Sequence, residues 1–141
     1  MFCLEHRVRV FVFQLLDDHA EFLLLRQKPR EEWSLGPVVG PITPGEKIEE
    51  AVRREVMEEI GLRHPVHLMK LLEPHKELFG DLGVVDWPFA WQAGTPSAPA
   101  DELQPGPRIG EFFWLDFATA FEELEDPTDR EALVRLQLAL Q

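Results

Sequence analysis

A mixed α/β fold in one domain is predicted by three features of the sequence. Arg7 to Gln14 (RVRVFVFQ) alternates polar and apolar residues before becoming an apolar run, as a strand entering a core from an edge does. Glutamate-rich residues from Gly45 to Ile60 carry an apolar row at helical spacing. Further strand-like and helix-like stretches then interleave without the regular rhythm of a doubly wound parallel sheet. The length of 141 residues suits one domain with a real hydrophobic core, and no internal repeat or low-complexity tract divides it.

Taken in order, Asp17-Asp18-His19 breaks the first strand, and Glu21 to Arg26 (EFLLLR) reads as its hairpin partner across a short connection. Trp33 to Gly45 is irregular and stiff, with Gly36, Pro37, Gly40, Pro41, Pro44 and Gly45. Thr43 with Glu46 three residues later has the spacing of a capping box, so the helix is placed from about Gly45 to Ile60, with Gly61 as its stop. A strand follows between Pro65 and Leu72, then a loop from Pro74 to Gly83. Val84 to Ala93 is another strand, which Pro88 marks as an edge or a bulge. Gly94 to Gly110 holds four prolines and has the length of a functional loop such as a lid. Glu111 to Leu115 is a short strand, Phe117 to Leu124 a short helix, and Thr128 to Gln141 a longer helix docking through Leu133, Leu136 and Leu140.

Composition excludes several classes of function. Apolar content of 45% beside 28% charged residues is globular. A formal net charge of −12, from 26 acidic and 14 basic side chains, argues against a surface for nucleic-acid polymers, which needs clustered Lys and Arg. Cys3 is the single cysteine, so no intrachain disulfide and no cysteine zinc site is expected. No basic leader and no membrane-length apolar run is evident, which predicts a soluble cytoplasmic protein without a membrane partner.

The chemistry concentrates in the acidic helix. With ~3.6 residues per turn, Glu55, Glu58 and Glu59 share one patch, while Ile48, Val52, Val56 and Ile60 form the core-facing row. Glu59 lies beside that row and Glu55 close to it, where an unpaired carboxylate is costly to desolvate. Like charges four residues apart and anions near a helix C-terminus add two smaller penalties. Two readings fit these residues: a solvated acidic face partly compensated by Arg53 and Arg54, or a site for hard divalent cations.

The spacing carries a resemblance that separates the two. Gly40, Glu46, Arg54, Glu55, Val56, Glu58, Glu59, Gly61 and Leu62 fill every fixed position of the Nudix box, so Gly40 to Leu62 resembles the signature of the Nudix hydrolase family. The remainder of the chain resembles the family only weakly. The resemblance implies an α/β/α sandwich with a mixed sheet and hydrolysis of a nucleoside diphosphate linked to another group. It implies Mg²⁺ as cofactor, with Mn²⁺ as a substitute. Glu58 and Glu59 would be metal ligands, and Glu55 either a further ligand or the group that deprotonates the attacking water. Arg54 would hold the glutamates, and the Val39 carbonyl would join the metal shell. Glu111 stands where the family places an additional glutamate, to bind metal or act as base, or is a solvated residue at a strand start. One departure is that Val39 replaces the glycine usual before the box glycine, which would narrow the diphosphate pocket or shift its loop.

Substrate contacts are expected from Gly40, Glu46, Arg26 and Trp33, with Arg26, Lys28 and Arg30 near a terminal phosphate or simply solvent-facing, and His75 is a minor candidate for a catalytic role. Trp33, Trp87, Trp91, Phe79 and Phe113 can either stack on a base or pack in the core. The small single domain is most similar to members that cleave nucleoside triphosphates to a monophosphate and pyrophosphate. Alternatives are a nucleotide sugar, ADP-ribose or a dinucleoside polyphosphate as substrate, or a non-catalytic nucleotide-binding module. A monomer or homodimer is expected.

Overall fold

The computed structural model describes residues 3–28 and 34–141. In chain order these form β1 (Cys3–Leu15), β2 (Ala20–Gln27), β3 (Val38–Pro41), α1 (Ile48–Ile60), β4 (His67–Lys70), β5 (His75–Phe79), β6 (Leu82–Gly94), β7 (Ile109–Leu115), α2 (Phe117–Glu123) and α3 (Pro127–Ala139).

One mixed sheet organises them. β1 and β6 run parallel at its centre, and every other pairing is antiparallel. Each central strand has its outer edge shared by two others. β1 pairs β3 over Arg7 to Val10 and β2 over Phe13 to Leu15, while β6 pairs β5 over Leu82 to Asp86 and β4 over Phe89 to Gln92. β7 extends the sheet beyond β2.

The central strands are apolar on both faces because helices cover both. On one face Val8, Val10, Val12, Leu23 and Trp91 pack with Val52, Val56 and Ile60 of α1. On the other, Phe11, Phe13, Phe22 and Leu24 pack with Leu133 and Leu136 of α3. Each such side chain contributes roughly 1.5–3 kcal/mol on burial. The architecture is therefore the expected α/β/α arrangement around a mixed sheet. Asp126 caps α3 by accepting from the Thr128 amide at 2.8 Å, with Pro127 in the first turn.

Several local expectations are corrected. α1 starts at Ile48 rather than Gly45, because Gly45 adopts a left-handed conformation (φ 83°) that no right-handed helix can include. Thr43 still donates to Glu46, from its amide at 3.1 Å and its hydroxyl at 3.0 Å, but the bond closes the turn before the helix. Gly61 does end α1, at φ 77°. The loop expected from Pro74 contains β5, an edge strand whose residues are mostly exposed and so lack alternation. Pro88 sits inside β6, neither at an edge nor at a bulge. Its carbonyl accepts from the Leu71 amide at 3.0 Å, in the gap between β4 and β5, and its missing N–H faces that same gap.

Candidate functional site

The acidic patch of α1 is built by its position against the sheet. Glu55 and Glu59 flank the row formed by Val52, Val56 and Ile60, and packing that row buries both carboxylates with it. Glu58 projects away and is 52% exposed. Gly40 of β3 lies directly against Glu55, and a β-carbon there would run into the carboxyl group. The glycine is required by close approach and not by an unusual dihedral.

Arg54 ties the patch together. It donates from Nε to Glu46 Oε2 at 2.8 Å and from Nη2 to Glu46 Oε1 at 3.0 Å. Its Nη1 reaches Glu55 Oε1 at 2.7 Å and Glu58 Oε2 at 3.3 Å, and Nη2 also meets the Pro41 carbonyl at 2.8 Å. One guanidinium thus joins the loop before α1, the end of β3 and two carboxylates of the helix. This bonding holds the Glu46 carboxyl down at about 2. Burial pushes the Glu55 carboxyl up, the Arg54 bond pulls it back, and the charges of Glu59 and Glu58 add to the rise.

A second arginine, absent from the sequence expectations, enters from the other side. Arg108, the last residue before β7, contacts Glu59 Oε1 through Nη2, which also lies 3.8 Å from Glu55 Oε2. Its loop is fastened rather than free as a lid would be. The Gln104 amide donates to the Ile60 carbonyl and the Gly106 amide to the Glu59 carbonyl, each at 2.8 Å. No motif positions Arg108, because the contact depends on the path of a loop distant in sequence.

Among the described residues, no three His, Cys, Asp or Glu side chains converge as a ready-made cation cage, and the two arginines meet the carboxylates instead. Even so, Glu55 Oε2 and Glu59 Oε2 are buried without a hydrogen-bond partner. A buried ionised oxygen in that state calls for positive charge. An all-carboxylate donor set suits a hard cation such as Mg²⁺ or Mn²⁺.

Other expected residues fall elsewhere. The Val39 atom expected in the metal shell is its backbone carbonyl, beside Gly40 in β3, whereas its side chain pairs opposite that of Arg9, so the two side chains share the face opposite Gly40 and α1. There they line a cavity of about 270 Å³ with Gln27, Gly36 and Asp129. Arg9 and Asp129 form a bidentate pair at 2.7 and 2.5 Å beside it. Arg26 and Glu111 are register partners joined at 2.6 Å. Strand alternation puts Glu111 with Leu115 on the α2/α3 face, away from the carboxylates of α1, so the structure does not bring it into the cluster. Trp33 and Arg30 lie outside the described residues. Trp91 is core, Trp87 donates to His6 Nδ1 at 3.1 Å, and His75 on β5 lies 3.5 Å from Glu77.

The family model described as the NUDIX domain matches residues 5–136, nearly the whole of the described fold. The chain belongs to the NUDIX family. The ADP compounds hydrolase NudE of Escherichia coli (strain K12) is 30% identical over 131 residues, and the match covers 90% of this NUDIX chain and 66% of that relative. A NUDIX-fold protein from Listeria monocytogenes superposes with a TM-score of 0.79 at 21% identity, covering 96% of this chain and 93% of its own. The Ap4A hydrolase of C. elegans gives 0.74 at 19%, covering 96% and 97%. These two likenesses establish the fold. Among the described residues no helix of this NUDIX chain is long and apolar enough to cross a membrane.

Proposed function

We propose that the protein hydrolyses a diphosphate bond in a nucleoside diphosphate linked to a second group, using Mg²⁺, or Mn²⁺ in its place, held by Glu55, Glu58 and Glu59. The observation that carries this reading is the pair of buried oxygens on Glu55 and Glu59 that have no hydrogen-bond partner, in a chain whose family match spans residues 5–136. When bound, the ion would supply positive charge to the phosphate oxygens and acidify the attacking water.

The chain's own residues take the remaining tasks. Glu55, buried against Gly40 with Oε1 held by Arg54, helps hold the ion and so orients the attacking water; Glu111 lies on the opposite face and is not assigned this step. Arg54 is a positioning residue that fixes Glu55 and Glu58 relative to the loop carrying Glu46. The cavity lined by Arg9, Gly36 and Val39 lies on the other face of the sheet from Glu55, so it is not assigned the nucleoside part. The Val39 side chain forms part of that wall, and the departure from glycine leaves the carboxylate helix intact.

ADP-linked compounds are placed first among substrates, ahead of nucleoside triphosphates, because the curated relative is named for ADP compounds. The test is a panel of ATP, dATP, ADP-ribose, a nucleotide sugar and diadenosine tetraphosphate with Mg²⁺, with products identified chromatographically. Release of AMP from an ADP-linked compound supports the proposal. Faster pyrophosphate release from a triphosphate would replace its substrate class, and binding without turnover would leave a nucleotide-binding module.

A further inference from the structure

Arg108 combines an anchored backbone with an exposed side chain. The Gln104 and Gly106 amides bind the last carbonyls of α1, and a β-carbon at Gly106 would collide with the Glu58 carbonyl, so the loop is pressed onto the helix end. On its other side the Arg108 carbonyl accepts from the Lys28 amide at 2.8 Å. The root of the side chain is therefore held between α1 and β2. Its side chain is 58% exposed, yet its guanidinium reaches the two carboxylates that burial isolates from water.

Arg54 provides the contrast. It is 29% exposed, and the bonds it makes to Glu46, Glu55, Glu58 and Pro41 must all break for it to leave. Arg108 can swing into solvent without disturbing a backbone bond. Its fixed charge is close to the oxygens that a divalent cation would need. Two cations sharing one carboxylate pair repel each other, so the guanidinium and the ion cannot both hold it at full strength.

We propose that Arg108 is an exchangeable counter-ion for the Glu55 and Glu59 pair: it neutralises the pair until a divalent cation arrives, then yields the carboxylates to that ion. The proposal rests on the cation-binding reading above. Exchange lets the carboxylates stay buried beside a positive charge without a metal, and makes cation affinity a difference between two competing positive charges. It also assigns the fastened loop a task, that of holding the competitor within reach.

The test is Mn²⁺ binding to the purified chain by electron paramagnetic resonance, without nucleotide, for wild type, Arg108→Gln and Arg108→Lys. Removing the competitor predicts Mn²⁺ binding tighter by about ten-fold in Arg108→Gln, a magnitude discounted for the exposure of the Arg108 side chain. Arg108→Lys, which keeps the charge, is predicted to remain near wild type. Thermal melting gives a second readout. Arg108→Gln should melt lower than wild type without Mn²⁺ and gain more from saturating Mn²⁺. Equal or weaker Mn²⁺ binding in Arg108→Gln overturns the proposal and leaves the cation site standing. No Mn²⁺ binding in any of the three proteins overturns both.

Discussion

Arg54 and Glu46 meet through two parallel hydrogen bonds, at 2.8 and 3.0 Å, across the turn that leads into α1. The same guanidinium then reaches buried Glu55. Its planar fork is the feature that matters, because a lysine ammonium cannot bond Glu46 in parallel while bonding Glu55. Arg54→Lys should therefore lower hydrolysis at least about ten-fold while the chain stays folded. Arg54→Ala, which leaves Glu55 buried without its partner, should cost ~3 kcal/mol in urea unfolding.

Acid should expose the same pair. The folded Glu46 carboxyl is held at about 2, below its ordinary value of 4.5, so the folded state binds fewer protons between the two values. The stability this supplies is complete above about 4.5 and is lost as pH falls through about 2. Glu46→Gln should be less stable at neutral pH and lose less stability across that window. Denaturant unfolding at a series of pH values measures both effects.

Gly40 and Gly36 are close in sequence and opposite in demand. A β-carbon at Gly40 meets the Glu55 carboxyl group, whereas at Gly36 it meets nothing within 4 Å. Gly40→Ala is expected to destabilise by about 1–3 kcal/mol, as overpacking does, and to displace Glu55. Gly36→Ala should stay within about 0.5 kcal/mol of wild type. Parallel unfolding curves for the two variants check the contrast.

Asp129 fastens α3 to the sheet through its bidentate pair with Arg9, and both side chains are largely buried. Asp129→Ala leaves an uncompensated guanidinium inside, with an expected loss of about 3–5 kcal/mol. Replacing both residues by apolar ones of similar volume should recover much of that loss. A double-mutant cycle on unfolding free energies distinguishes this outcome from simple additivity.

The carboxylate helix was legible in the sequence because its signals are local: the row at helical spacing, the glycine stop and the box positions all lie within Gly40 to Leu62. The order of the principal strands was legible for the same reason. β3 and β5 were not, since Val38–Pro41 lies in a Gly/Pro-rich stretch that reads as irregular, and an exposed edge strand has no buried face to impose alternation on His75 to Phe79. The start of α1 was misplaced because residue spacing alone does not show that Gly45 is left-handed. Arg108 could not be found by spacing, as its contact with Glu59 spans the chain from α1 to the entry of β7. Glu111 looked suitable by its place in sequence, yet alternation along β7 directs it to the face away from Glu55.

The most direct test of the cation-dependent hydrolase reading is the rate of AMP release from ADP-ribose by wild type and Glu59→Gln, each with Mg²⁺ and with excess chelator. Wild type should turn over only with Mg²⁺, and Glu59→Gln should lose roughly a hundred-fold or more, as for removal of a group that stabilises developing charge. Wild-type turnover undiminished by chelator, or an unimpaired Glu59→Gln enzyme, would contradict it.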